Sequence, residues 1–194
     1  MPPIAIRRNI VLAAFAIGAS VTLLPGSGRA QSLSADDANQ LRSSLLGDLE
    51  VLRGKFVGLA EAFPQDKYNW KPMEGVRSVA EVLMLSAFEG YSFIPTSFGG
   101  KRADLGNQDA AAKLRALTDK AQVIEHVNKG FAHAKSELES IDAATLGASR
   151  NLFGQMRSAT SIALVVYGDL HEHLGQLIAY ARMNQIVPPW SRKE

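Results

Sequence analysis

Apolar residues recur along most of this chain at spacings of three and four, and strand-like alternation is nowhere sustained. That period belongs to amphipathic helices. In the segment opening at Ser34, the residues Leu41, Leu45, Leu49, Leu52, Phe56 and Leu59 fall on one face. Ser34 suits an N-cap, Asp36 and Asp37 favour the first turn, and Pro64 stops the helix. The irregular stretch QDKYNWKPMEGVR follows, with Tyr68 and Trp70 expected to pack on the bundle end. A second helix is predicted from Ser78, again a capping residue with Glu81 three positions on, to just before Pro95. The Gly-rich connection TSFGGKRADLGNQ leads to a short helix, DAAAKLRAL. Thr118 or Asp119 then caps a third long helix, whose apolar positions are Val123, Val127, Phe131, Ala134 and Leu138. The stretch DAATLGASRNLFGQMRS reads as a loop. A fourth helix runs from Ser158 or Thr160 to about Asn184, with Pro188 and Pro189 beyond it. Four long amphipathic helices predict an all-α fold, an up-down four-helix bundle over residues 31–194.

The first thirty residues have a different character. Arg7 and Arg8 precede an apolar stretch from Ile10 to Leu24, then Pro25, Gly26 and Gly28, and then a small-x-small ending at Ala30. This is the layout of a cleavable secretory signal, residues 1–30, with cut after Ala30. The apolar run is shorter than the ~20 residues of a membrane span, so no stable span is expected after cleavage. The expected location is exported, a bacterial periplasm. The route is general secretion, and the arginine pair also allows a twin-arginine route.

Bulk properties narrow the chemistry. The chain has 194 residues, 46% hydrophobic and 21% charged, with a net charge of +2, which is ordinary for one globular domain. No basic run is interleaved with aromatics, so nucleic acid is not an expected partner. There is no cysteine, which excludes disulfides, thiolate nucleophiles and cysteine-held zinc. Any metal must be held by His, Asp or Glu. No strained nucleophile elbow is visible, and TSFGGK lacks the phosphate-loop spacing.

The fourth helix carries the most informative chemistry. Ala163, Val166, Leu170, Leu174, Leu177 and Ala181 form its apolar stripe, and Asp169, His173, Gln176 and Tyr180 lie along one edge. Asp169 and His173 are four apart, one above the other, a spacing at which both can ligate one ion. The same spacing suits a histidine held in one tautomer by an acid, with no metal. His171 points elsewhere. His126 and His133 lie two turns apart on the third helix and read as plain surface.

Three stretches carry a family resemblance: YNWKPMEGVRSVAEVLMLSA at 68–87, EHLGQLIAYAR at 172–182 and MNQIVPPW at 183–190. On these the chain resembles the DinB family, also called DinB/YfiT-like, over about residues 34 to 190. The resemblance implies a four-helix bundle. It also implies, in many members, a divalent metal held by one histidine on the second helix and two at i, i+4 on the fourth. Thiol transfer with low-molecular-weight thiols, maleylpyruvate isomerisation and hydrolysis are among the activities it implies. Pairing through bundle faces, a homodimer, is a further implication.

Carried over position by position, the last family histidine matches His173, the one four before it matches Asp169, and the one on the second helix falls at Leu85. One histidine of three is kept. Glu89 lies one turn beyond Leu85, about 40° around the helix, and is the substitute that spacing offers; Glu81 lies one turn before. A Glu89, Asp169 and His173 set would be oxygen-rich, which suits Mn or Fe more than Zn, with Ni also in range. Two functions follow. One is an exported DinB-like protein with a degenerate metal triad that binds a small-molecule ligand or a partner. The other is a divalent-metal-dependent thiol transferase or hydrolase with a rearranged Asp/His site.

Overall fold

The computed structural model describes residues 32–192, so the expected signal segment, residues 1–30, lies outside the described residues. The chain is mostly helical. Its long elements are α1 (Ala35–Ala62), α2 (Val79–Phe88), α5 (Lys120–Ser140) and α7 (Ala159–Met183). Shorter ones are α3 (Ile94–Ser97), α4 (Gln108–Arg115) and α6 (Ala143–Gly147), with a hairpin of β1 (Arg150–Leu152) and β2 (Gln155–Arg157). No described helix is long and apolar enough to cross a membrane.

The helix starts follow local chemistry. Ser34, Asn107, Asp119, Asp142 and Ser158 each accept a hydrogen bond from a backbone N–H one turn on, which satisfies a donor the helix cannot. Ser78 and Glu81 form a reciprocal capping box at α2. The alternatives Thr118 and Thr160 are not the caps. The apolar stripes expected on α1, α5 and α7 are buried in one core, with Leu41 and Ala163 at its margin.

The expected up-down alternation is not what forms. Arg42, early in α1, donates to the Leu138 carbonyl near the end of α5 at 3.1 Å, so these two helices are antiparallel. Tyr167 donates to the Leu45 carbonyl at 2.9 Å and Pro189 faces Gly58, so α1 and α7 are parallel. Tyr180 donates to the Arg77 carbonyl at 2.9 Å, just before α2, so α7 and α2 are antiparallel. The Lys101 N–H donates to Glu137 at 2.7 Å, while Gly90 meets Gly130, so α2 and α5 run parallel. The order is up, down, down, up. The connection over 98–119, which includes α4, is long enough to carry the chain back to the end where α2 began.

Two further expectations are corrected. The second helix does not stop before Pro95. It passes through a π-helical turn, Glu89–Phe93, and continues as α3 to Ser97. Pro95 has no N–H to offer, and the Tyr91 carbonyl instead accepts from the Ala103 N–H at 2.8 Å. The stretch before the fourth helix is not simply a loop. It holds α6 and the antiparallel hairpin, in register Arg150↔Arg157 and Leu152↔Gln155.

Candidate metal centre

Glu89 opens the π-helical turn at the end of α2, and Asp169 and His173 stand one turn apart on antiparallel α7. Insertions of this kind recur at functional sites because they re-aim side chains out of the α-helical register. His173 Nε2 lies 3.2 Å from Glu89 Oε1 and 3.7 Å from Asp169 Oδ1. One ligand-type atom from each of the three residues lies within 4.8 Å of the others. Metal bonds of about 2.0–2.2 Å set neighbouring ligand atoms about 3 Å apart and opposed ones about 4 Å. The two distances from His173 fall in that range, and the group could hold one ion.

The three side chains differ in exposure. The Glu89 side chain is 6% exposed, His173 14% and Asp169 41%. The cluster is therefore closed below Glu89 and opens on the Asp169 side. Glu89 Oε2 is buried and has no hydrogen-bond partner. A buried carboxylate oxygen without a partner is costly. Asp169 lies close enough to raise the Glu89 carboxyl as well, so a proton shared with Asp169 or a cation would each satisfy that oxygen. Two carboxylates and one imidazole also balance the charge of one divalent ion.

Burial pushes the Glu89 carboxyl above its usual range, against the pull of His173. The hydrogen bond to Glu89 raises His173, against its own burial. The pair therefore holds protons more tightly than free side chains do. Further along α7, Gln176 donates to Tyr180 at 2.7 Å, and Tyr180 anchors the start of α2 through the Arg77 carbonyl. That tie fixes the two helices that carry the cluster.

Other expected positions fall elsewhere. Leu85 is half-buried, and Glu81 serves the capping box. His171 turns to α1 and meets Asp48 at 2.9 Å. His126 is not plain surface: its Nδ1 lies 2.9 Å from the Tyr91 hydroxyl, and burial lowers its pKa. His133 Nε2 lies 2.9 Å from the Lys101 carbonyl oxygen. Trp70 packs edge-on against Tyr180 with ring centres 5.4 Å apart, and Trp190 sits under the Lys55 ammonium.

Sequence reasoning missed the mouth of the cluster. Phe93, four residues beyond Glu89, and Phe153, at the hairpin tip, face each other with ring centres 5.9 Å apart beside Asp169. Gly154 inside NLFGQ was the available signal for a tight turn there.

Neither the curated proteins nor the solved structures searched yield a match to this chain. A family model does match, that of the DinB superfamily, over residues 48–177. The match covers most of the chain and includes all three residues of the cluster. The chain belongs to the DinB superfamily.

Proposed function

We propose that Glu89, Asp169 and His173 hold one divalent metal ion, and that the protein uses it in thiol transfer or hydrolysis. The unpartnered Glu89 Oε2, buried between two other ligand-type groups, carries this reading. Glu89 takes over the part that Leu85, at the family's histidine position, cannot play. When bound, such an ion supplies Lewis acidity, which lowers the pKa of a water or thiol nucleophile. The protein's own residues set the geometry. Glu89 and His173 hold the ion from the closed side of the bundle, and the exposed edge of Asp169 leaves an approach for substrate. The oxygen-rich donor set favours Mn or Fe over Zn and Ni.

The proposal keeps the export expected from residues 1–30 and so places the activity in a periplasm. It also keeps the up-to-dimeric state implied by the family, a homodimer through bundle faces. A second reading, a small-ligand-binding protein without metal, is favoured by the hydrocarbon side chain of Leu85 alone. Elemental analysis of protein purified without chelator, followed by titration with Mn, Fe, Ni and Zn, separates the two. Stoichiometric metal that is lost in His173→Ala supports the metal centre. No metal, and no thermal shift with any of the four, overturns it.

A further inference from the structure

Phe153 is a conspicuous residue for its place. It occupies the first position of a two-residue hairpin turn with φ +55°, and Gly154 follows at φ +80°. Both positions of such a turn need positive φ, which glycine, asparagine and aspartate accept readily. A bulky aromatic there is strained. The ring gains little burial in exchange, since Phe153 is 73% exposed and packs only against Phe93 among the ring contacts of the described residues. Strain of this kind persists where the residue has a task. The turn itself is held by the Gly154 N–H donating to Asn151 Oδ1 at 2.9 Å.

The exposed ring forms one wall of a cleft of about 340 Å³. Phe93 packs against it, and Leu164 and Val165 of α7 also line the cleft. Leu164 is itself 75% exposed, a large apolar side chain on the solvent side of α7. Asp169, the solvent-facing member of the metal set, borders the cleft, and Glu172 stands beside it. Among the described residues no basic side chain lines it. The cleft is at the small end of the range for ligand pockets.

We propose that this cleft is the substrate pocket of the metal centre and takes the apolar body of a small neutral or cationic molecule, about one aromatic ring in size, with Phe153 as its specificity-determining residue. The proposal rests on the metal reading for the word substrate, but the pocket's walls do not depend on an ion. Apolar walls and two acids at the rim select against anions, and an aromatic ring presented edge or face to Phe153 and Phe93 gains stacking contact. The polar arm of the molecule would point past Asp169.

The test uses the full chain free of metal, with ¹³C-labelled Leu and Val methyls. The probe is benzylamine, with benzoate as its anionic counterpart. Benzylamine is expected to shift the Leu164 and Val165 methyls in a saturable way. Phe153→Gly, which suits the positive φ while deleting the ring, is expected to weaken that binding about tenfold. Leu164→Gln is expected to weaken it as well. Neither variant should change Mn(II) affinity. No methyl shift, unchanged affinity in Phe153→Gly, or benzoate bound as tightly as benzylamine would each overturn the proposal. Benzylamine binding without any Mn(II) uptake would overturn the metal reading and leave the pocket standing, while the converse result would do the reverse.

Discussion

His173 Nε2 stands 3.2 Å from Glu89 Oε1, across the contact between α7 and the π-helical end of α2. The acid lies one turn beyond Leu85, the position at which the family resemblance implies a histidine. On the proposed metal reading Glu89 stands in for that histidine from one turn along the same helix, and His173 of α7 meets it.

Glu89→Gln should abolish the rise in melting temperature that added Mn(II) produces. It should leave the metal-free protein within about 1 kcal/mol of wild type, because the amide carbonyl still accepts from His173 and the amide N–H replaces the unpartnered oxygen with a donor. Thermal melts of both proteins with and without Mn(II) check this. A large loss of metal-free stability would mean that Glu89 serves the fold through His173.

Gly130→Ala should destabilise the protein by about 1–3 kcal/mol through overpacking. A methyl there would strike the Ala87 backbone, and one at Gly90 would come within 2.9 Å of the Phe131 nitrogen. This contact lets the π-helical turn lie directly on α5. Urea unfolding of Gly130→Ala, with Mn(II) affinity measured alongside, would show whether the close approach also sets the reach of Glu89.

The capping box makes stability depend on acid. Glu81 accepts the Ser78 backbone N–H at 2.7 Å, and this bond holds its carboxyl below the ordinary value of 4.5. A lowered folded pKa contributes stability above the ordinary value, and that contribution is lost as pH falls through the lowered one. Glu81→Ala should therefore lose stability at neutral pH and converge on wild type in acid. Ser78→Ala should cost about 1 kcal/mol. Melting curves across that range check both.

Gln185→Gly should stabilise by about 0.5–1 kcal/mol. Gln185 has φ +60° just past α7. The Ile186 and Gln185 N–H groups there donate to the Ala181 and Arg182 carbonyls at 2.8 and 3.0 Å. This is a helix stop at which glycine is the usual occupant. A melt of the variant that showed no gain would mean the greater freedom of glycine in the unfolded chain offsets the relieved strain.

By itself the sequence determined the four long helices, the approximate places of their caps and their buried faces. Period, capping chemistry and proline placement are local, so Leu45, Leu49 and Leu52, or Val123, Val127 and Phe131, could be assigned to the core from spacing alone. It also determined which residues could ligate a metal, because the absence of cysteine and the i, i+4 pairing of Asp169 with His173 leave few choices. Helix direction was not legible, since the same four amphipathic helices satisfy either order and the long 98–119 connection permits a parallel neighbour. The π-helical turn was hidden because it depends on a contact between Gly90 and Gly130, forty residues apart in sequence. Tertiary structure alone decided that Glu89 reaches His173 and that the strained Phe153 comes to rest beside Asp169. Both depend on which helices become neighbours, and neighbours are chosen by packing over the whole core, where no local pattern records the outcome.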